Sequence, residues 1–576
     1  MSTSKHIDII CVVILLCTLL LTGLFINGEA LGIAVITDGD DGDSQFTAND
    51  LNAGWDTAGA TQITLTGDGG SVKGGGAYLY GGDVHIVHAG RYVLSGELAD
   101  GSIIIDADSG DKIWLLLDGV SLHCDDSAAI VVEQAAKVFL TLAVGRSNFI
   151  SSGAEYTAEA ISGGIDGAIY SRDDLTINGS GSLSVTAEYQ HGIVCNDDLV
   201  IAGGDIEITA AQDGIHANDS ARLADMDLTI NAGDDGITVS NDDETAYIYI
   251  ESGKINIPSC YEGIESTDIT IAGGVIDIRP ADDGINANGR GGNSVIRVTG
   301  GDITIINETG RDADGLDSNG SIYVSGGNVF ISVNSASCAL DCGSENGGVC
   351  KISGGTVVAA GGSMMAEGFD SSSEQSFIMY TTSTAAAGTT VTLKNEAGNT
   401  LISEAIPCSF SSVVLSTPEL RLGETCTISV GGRTEEITVD NSSASGGFGM
   451  VGMFGGGMRQ GGDFEDMFAG RGGRTGRPVG GPPDGDTGEI PRMPDGDSEM
   501  PQRPGGDFSE MPQRPDDDLM RGGGRSGEQF MQRGENQDWA QNNAAAEPTA
   551  FSPDTLILVG VSALILLAGI LIALKF

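Results

Sequence analysis

Carboxylates recur beside a repeated glycine in this sequence. Asp or Glu stands directly before the glycines at 214, 236, 263, 284 and 315, and later repeats carry a second oxygen-bearing side chain two residues past the glycine. Carboxylate and amide oxygens are the ligands that Ca²⁺ prefers. The pattern predicts calcium sites, with Ca²⁺ as the cofactor, formed by Asp235, Glu262, Glu265, Asp282, Asp283, Asn286, Asp314, Asp317 and Asp341.

The plainer alternative is that these are ordinary turn residues, because Asp and Asn often bond to their own backbone in turns. The slot two residues past the glycine argues against it. On earlier repeats that slot holds Val194, His216 and Thr238. On later repeats it holds Glu265, Asn286, Asp317 and Asp341. Turn chemistry does not explain why both sides of the glycine become oxygen-rich together, and the later repeats are therefore the predicted metal region.

The repeat also predicts the fold that positions these residues. Glycines at 167, 192, 214, 236, 263, 284 and 315 are separated by 21 to 31 residues. The intervals contain three short alternating runs punctuated by Gly, Asn and Asp, as where the turn string NAGD separates DMDLTI from DGITVS. Three strands per lap, each stacked on its equivalent in the next lap, define an all-β parallel β-helix. A β-sandwich or propeller, the alternative, would show hairpins with two-residue turns.

Charge limits the classes of partner. Lys and Arg number 28 against 81 Asp and Glu, which gives a net charge of −53. This balance excludes nucleic acid, because phosphate binding needs clustered basic residues. It also disfavours a bare anionic glycan, so the partner is either neutral or bridged by a cation.

The two ends of the chain predict its location. Residues 1–32 contain an 18-residue apolar stretch and are read as a signal peptide or signal anchor, and residues 554–575 as a transmembrane helix. Between them we expect the β-helix at 45–362, a small β cap at 363–440, and a disordered stalk rich in Gly, Pro, Asp and Met at 441–550. The predicted location is the cell surface, with the body outside and anchored in the cytoplasmic membrane by the C-terminal helix.

Cysteine and histidine give weaker signals. Cys124, Cys195 and Cys260 are read as buried apolar residues. Cys338, Cys342 and Cys350 are close enough in sequence for one disulfide bridge between two of them. Cys408 and Cys426 flank a predicted hairpin and could form another. His191 and His216 are single imidazoles read as structural, and no His or Cys pair has zinc spacing.

Several segments together resemble the bacterial calcium-binding carbohydrate-binding domain family. They are RYVLSGELADGSIIIDADSGDKIWLLLDGVSL at 91–122, AAKVFLTLAVGRSNFI at 135–150, DGAIYSRDDLTINGSGSLSV at 166–185 and the DGI and DGL repeats. The resemblance covers about 80–440. It implies a right-handed parallel β-helix like that of pectate lyases, with Ca²⁺ held by turn Asp, Asn and Glu. It also implies binding of cellulose and acidic polysaccharides such as polygalacturonate.

Two other functions remain open. A polysaccharide lyase needs a basic residue beside the metal, yet the available ones lie outside the repeated slot: Lys254, Arg279, Arg290, Arg297 and Arg311. A glycoside hydrolase needs two separated carboxylates, which adjacent Asp282 and Asp283 do not provide. A structural surface adhesin is the third class. The sequence favours a non-catalytic, calcium-dependent, cell-surface carbohydrate-binding protein.

Overall fold

Alternating β-branched and polar residues form short strands throughout the computed structural model, which describes residues 45–445 except 242, 311, 312, 365 and 442. The fold is all-β, a β-solenoid of about ten turns, as the repeat predicted. The signal segment, most of the predicted stalk and the C-terminal apolar segment lie outside the described residues. Within the described part of the chain, no helix has the length and apolar character needed to cross a membrane.

The first face of the solenoid carries the glycine repeats, and we call it the turn sheet. Its neighbouring strands pair in parallel, apart from the antiparallel first pair. The strands are β3 (Ala77–Tyr80), β4 (Asp83–Ile86), β6 (Ile103–Asp106), β8 (Ile130–Gln134), β11 (Gly167–Ser171), β13 (His191–Cys195), β15 (Ile215–Ala217), β18 (Ile237–Val239), β21 (Ile264–Ser266), β24 (Ile285–Ala287), β27 (Leu316–Ser318) and β30 (Leu340–Cys342).

Two further faces close each lap, and we call them the middle sheet and the third sheet. The middle sheet contains β9 (Lys137–Leu142), β16 (Ser220–Ala224), β19 (Tyr247–Ile250), β22 (Asp268–Ile271), β25 (Val295–Val298), β28 (Ser321–Val324) and β31 (Cys350–Ile352). The third sheet contains β10 (Ser147–Ser152), β17 (Asp227–Ala232), β20 (Lys254–Cys260), β23 (Val275–Pro280), β26 (Asp302–Asn307), β29 (Asn328–Val333) and β32 (Thr356–Gly361). Four long strands serve both faces: β5 (Gly90–Leu98), β7 (Lys112–Cys124), β12 (Leu175–Ala187) and β14 (Asp198–Ala210).

Antiparallel strands flank the parallel laps. At the N-terminal end, β1 (Thr61–Gly67) and β2 (Gly70–Lys73) form a hairpin beside β5. In the region of the predicted cap, β33 (Phe377–Ala385), β36 (Phe410–Ser416) and β39 (Ser443–Ser445) extend the third sheet, with β36 antiparallel to β32. A separate four-stranded antiparallel sheet contains β34 (Thr389–Lys394), β35 (Thr400–Ile406), β37 (Thr425–Val430) and β38 (Arg433–Thr438). The described helices are α1 (Ala158–Ser162), capped by Thr157, and 3₁₀ turns at Arg290–Gly292 and Ser344–Asn346.

Aliphatic side chains stack from lap to lap inside the solenoid. In the turn sheet, Ile215, Ile237, Ile264 and Ile285 pair in exact register, and each is fully buried. The stack continues through Leu316 and Leu340. Because neighbouring strands lie about 4.8 Å apart, each isoleucine covers the one beneath it.

The repeated glycine is required by the closeness of adjacent laps. A Cβ at Gly236 would lie 2.5 Å from the carbonyl oxygen of Gly263 and 2.8 Å from a side-chain carbon of Ile257. A Cβ at Gly263 would lie 2.3 Å from the carbonyl oxygen of Gly284. The glycines of the DGI repeat therefore let the backbone before each turn-sheet strand pack closely against the next lap and against side chains of the third sheet.

Residues 45–50 lie along the outer side of the middle sheet. Asp50 is fully buried there and accepts a 2.6 Å hydrogen bond from the Thr176 hydroxyl, while the Lys137 ammonium lies 3.0 Å away. Phe46 packs against Val200 and Ala224. The start of the described chain thus crosses several laps of the solenoid.

All eight cysteines in the described region are buried, and none of them is disulfide-bonded. The thiol of Cys408 donates hydrogen bonds to the carbonyl oxygens of Asn307, at 3.3 Å, and Ser332, at 3.2 Å. The possible Cys408–Cys426 bridge is therefore wrong for this structure, as is a bridge among Cys338, Cys342 and Cys350.

Core stacking predicts a sharp contrast within strand β23. Ile276 points inward and is 1% exposed, whereas the adjacent Val275 points outward and is 50% exposed. Ile276→Ala should lower the free energy of unfolding by about 2–5 kcal/mol, because the neighbours cannot fill the cavity. Val275→Ala should change it by less than about 1 kcal/mol. Denaturant unfolding of the two variants measures the difference, and equal losses would contradict the assigned strand direction.

Candidate functional site

The oxygen-bearing slot forms one continuous column on the outer side of the turn sheet. Thr238, Glu265, Asn286, Asp317 and Asp341 are register partners on successive strands. From Glu265 onward, each lies half-buried between two buried neighbours. The alignment that the sequence predicted for this slot is therefore present in the structure, and we call these five residues the outward column.

Carboxylates before the glycine connect one lap to the next. An oxygen of Asp235 accepts a 2.9 Å hydrogen bond from the backbone N–H of Glu262. In the same way, Asp283 accepts from the N–H of Asp314 at 2.6 Å, and Asp314 from the N–H of Cys338 at 2.6 Å. One oxygen of each of these three carboxylates thus has the backbone role that the turn alternative describes.

The remaining oxygens converge in two places. In the first, which we call the upper acid group, carboxylate oxygens of Asp235, Glu262 and Glu265 all lie within 4.8 Å of one another. The Asn286 amide donates a 2.9 Å hydrogen bond to Glu262, and the Asn288 amide donates to Glu265. All three acids of this group, and Asn286, were predicted from the sequence.

The second convergence, the lower acid group, lies two laps further along. Ligand atoms of Asp314, Cys338 and Asp341 lie within 4.8 Å of one another. Asp317 stands between Asn286 and Asp341 in the outward column, and Asp283 and Asp314 are both buried. Cys338 was missed by the sequence reasoning, because it occupies the pre-glycine slot where an acid was expected.

Asp282 lies apart from both groups. Its backbone N–H donates to the carbonyl oxygen of Tyr261 at 2.8 Å, and its carboxylate bonds to the Tyr261 hydroxyl. The neighbouring Asp283 instead accepts the N–H of Asp314, so the two adjacent carboxylates have different hydrogen-bond partners.

Crowding of acids raises their proton affinity. Burial, together with Asp235, raises the pKa of Glu262 to about 7. Burial, then the charges of Glu262 and Asp235, raises the pKa of Glu265 to about 8. Burial and the charges of Asp283, Asp341 and Asp314 raise the pKa of Asp317 to about 8. Without a cation, these sites favour the protonated acids.

A third convergence was not predicted. His191, Asp213 and His216 bring their ligand atoms within 4.8 Å of one another, and Asp213 also lies within this distance of Asp234 and Asp235. His191 and Asp213 come from the pre-glycine slots of consecutive laps. The spacing of 22 residues between them, one lap, was the available signal.

Basic residues lie away from the acid groups and are paired with other carboxylates. Lys254 contacts Asp227 at 3.2 Å and Arg297 contacts Asp268 at 2.5 Å, on the third and middle sheets. Of the other candidate bases named from the sequence, Arg279 pairs with Asp277 and Arg290 with Glu244. Arg311 lies outside the described residues.

Comparisons with known proteins identify the family of this chain. A family described as carbohydrate-binding domain-containing protein matches residues 80–368, which is half of the chain. The chain therefore belongs to this family.

One curated relative and one solved structure are similar to parts of the chain. The relative, a carbohydrate-binding domain-containing protein of Acetivibrio thermocellus, is 39% identical over 129 residues, which are 22% of this chain and 45% of the relative. The chain thus matches less than half of that protein's length. The structure, of a polysaccharide lyase-like protein from C. thermocellum as a gadolinium derivative, is 29% identical with a TM-score of 0.38, covering 46% of this chain and 96% of the other.

The raised pKa values predict that the metal-free protein loses stability as the pH rises. The folded state keeps the protons of Glu262, Glu265 and Asp317 up to pKa values of about 7, 8 and 8, whereas their ordinary pKa values are 4.5, 4.5 and 3.8. Between these limits the folded state binds more protons than the unfolded chain, so the free energy of unfolding falls with increasing pH.

Melting of chelator-treated protein between about pH 5 and about pH 8 measures this fall. Glu265→Gln should reduce the slope, while Glu207→Gln, an exposed acid of the third sheet, should leave it unchanged. A melting temperature that is constant or rises over this range would refute the prediction.

Proposed function

We propose that this chain is a non-catalytic, calcium-dependent carbohydrate-binding protein of the cell surface, which recognises plant-type polysaccharides: cellulose and acidic chains such as polygalacturonate. The observation that carries the calcium part is the convergence of Asp235, Glu262 and Glu265 within 4.8 Å. Membership of the carbohydrate-binding domain family supports a glycan as the partner. The surface location rests on the apolar segments of the sequence.

Electrostatics favours a cation in the acid groups. Two unit charges about 4.8 Å apart repel by roughly 3.5 kcal/mol at an effective dielectric of 20. Ca²⁺ binds six to eight oxygens at about 2.3–2.6 Å, so two of its ligands lie up to about 5 Å apart. The upper acid group matches this size. Asn286, in the next lap, could add its amide oxygen as a further ligand. The Asn286 amide now donates to Glu262; if Ca²⁺ took the place of this hydrogen bond, the amide could rotate and turn its oxygen toward the ion.

A bound Ca²⁺ would also reverse the repulsion between this acidic protein and an acidic glycan. The outward column is half-buried on the face of the turn sheet, so an ion there would keep coordination positions open to solvent. A uronate carboxylate can fill such a position, and the ion then bridges two groups of like charge. Acidic polysaccharide binding would thus require the metal.

Neutral cellulose would need another surface, and the first strands of the turn sheet provide one. Tyr78 and Tyr80 point outward from β3 with 48% and 75% of their surfaces exposed. The His85 ring stacks on Tyr78, with centroids 5.0 Å apart and planes inclined by 8°. Flat exposed rings of this kind pack against the apolar faces of sugar rings. We call Tyr78, Tyr80 and His85 the aromatic platform.

The pairing of the candidate basic residues supports a non-catalytic role. A lyase takes the α-proton of a uronate with a base beside the metal. The described candidates Lys254, Arg279, Arg290 and Arg297 are each paired with a carboxylate that belongs to neither acid group. A Ca²⁺-dependent rise in unsaturated product from polygalacturonate would instead support the lyase alternative.

Retention on acidic glycan tests the calcium-bridge proposal. Full-length protein should bind immobilised polygalacturonate in Ca²⁺ and elute in EDTA. Asp317→Asn should weaken binding by about tenfold or more, equivalent to 1.4 kcal/mol. The matched control is Asp205→Asn, which removes the same charge from an exposed position on the third sheet. Equal retention with and without EDTA would show that any bound metal has no part in glycan binding.

The aromatic platform predicts a separate loss on neutral glycan. Tyr80→Ala should reduce retention on insoluble cellulose by about tenfold, with and without EDTA, because the lost contact is apolar. Tyr323→Ala removes a 38% exposed tyrosine from the middle sheet and should bind as the parent protein does. Unchanged retention of Tyr80→Ala would remove the platform from the proposal.

A further inference from the structure

Two histidines, His191 and His216, meet at the carboxylate of Asp213, on the laps that come before the upper acid group. The Nδ1 atom of His216 lies 2.8 Å from Oδ2 of Asp213, and Nδ1 of His191 lies 3.1 Å from the same oxygen. The two imidazole rings are 4.8 Å apart. The Asp213 side chain is only 7% exposed, and those of His191 and His216 are 12% and 28% exposed. This is a compact, largely buried set of nitrogen and oxygen ligands.

The hydrogen bonds of His191 show that its Nδ1 acts as an acceptor. It receives the backbone N–H of Asp213 at 3.2 Å. An Nδ1 that accepts carries a lone pair and no proton, and the Asp213 carboxylate oxygen lies 3.1 Å from this same nitrogen. Two acceptors at this distance repel unless a proton or a cation stands between them. A neutral imidazole nitrogen is also the form that binds a metal ion, and an ion bound here would take the place of the Asp213 N–H at Nδ1.

Asp166 lies on the preceding lap and interacts electrostatically with both histidines. Its backbone carbonyl accepts the N–H of His191 at 2.9 Å, which places the two residues on adjacent laps. Its Oδ1 atom is buried and has no hydrogen-bond partner among the described residues. A buried carboxylate oxygen without a partner is costly, and its charge acts on both His191 and His216. A cation held by the histidines would compensate it.

We propose that His191 Nδ1, His216 Nδ1 and Asp213 Oδ2, with Asp166 as fourth ligand, form a binding site for Zn²⁺ or a similar borderline divalent ion. A tetrahedral zinc with bonds of about 2.0–2.2 Å holds its ligand atoms about 3.3 Å apart. The distances of 2.8 and 3.1 Å require only a few tenths of an ångström of widening. Ca²⁺ binds oxygen and not imidazole, so this site differs in metal class from the two acid groups.

Such an ion would join three successive laps through their side chains. Asp166, His191 and Asp213 lie on consecutive laps, and the other oxygen of Asp213 accepts the N–H of Asp235 at 3.1 Å. The metal would therefore fix Asp213 and, through it, the turn that starts the upper acid group. This inference stands independently of glycan binding, because its ligands lie outside both acid groups.

Cobalt spectroscopy tests the site directly. Untagged, chelator-treated full-length protein is titrated with Co²⁺, whose four-coordinate complexes absorb far more strongly in the visible range than six-coordinate ones. We expect one equivalent to give the strong absorption, Zn²⁺ to displace it, and excess Ca²⁺ to leave it unchanged. Absence of the strong band, or its displacement by Ca²⁺, would overturn the proposal.

Variants assign the signal to these residues. His216→Thr is the matched substitution, because threonine occupies the same slot one lap later, at Thr238, and the fold is thus expected to tolerate it. This variant should lose the strong band and bind Zn²⁺ about a hundredfold more weakly or worse. Glu265→Gln, in the upper acid group, should keep both properties. A band of full strength in His216→Thr, with its melting temperature unchanged, would show that the metal binds elsewhere.

Discussion

Hydrogen bonding of each lap to the next is the interaction on which the structure depends. Every strand of the turn sheet from β4 to β30 pairs in parallel with its equivalent one lap away, at a spacing of about 4.8 Å. A residue type that recurs at one position of the repeat therefore becomes a continuous row in space. Inside the solenoid this produces the isoleucine stack of Ile215, Ile237 and Ile264. On the outside, the same register produces the outward column.

Stacking is favourable for apolar residues and unfavourable for charges. A row of isoleucines buries surface at every step, whereas a row of carboxylates accumulates repulsion. The chain meets part of this cost with backbone hydrogen bonds, as at Asp235 and Asp314. Raised pKa values at Glu265 and Asp317 show that the cost is not fully met. Cations are the simplest compensation. Because the slot that holds Glu265 on a later lap holds His216 two laps earlier, we propose a different class of metal for each region.

The sequence was sufficient for the features that follow from the repeat. Glycine spacing predicted the parallel β-helix, and counting from the glycine placed Glu265, Asn286, Asp317 and Asp341 in one row, where the structure has them. Both predictions need only the periodicity, because the register is the same on every lap.

Features that break the repeat were beyond sequence reasoning. His191 and His216 occupy different slots, and their contact depends on the carboxylate of Asp213 between them. Asp282 and Asp283 are adjacent in sequence, yet the Asp282 carboxylate bonds to the Tyr261 hydroxyl and Asp283 accepts the N–H of Asp314. Residues 45–50 contain no repeat signal, and the burial of Asp50 against Lys137 depends on contacts more than eighty residues away in sequence. Each of these depends on tertiary contacts that no local pattern encodes.

The central claim is that the crowded carboxylates of the later laps hold Ca²⁺. Anomalous diffraction from crystals grown in Ca²⁺ tests this most directly, because it locates the ions without assuming their ligands. The account predicts one peak among Asp235, Glu262 and Glu265 in the upper acid group, and another at Asp314 and Asp341 in the lower acid group, beside Asp317. An anomalous map without a peak at either place, from crystals in which these side chains are well ordered, would contradict it.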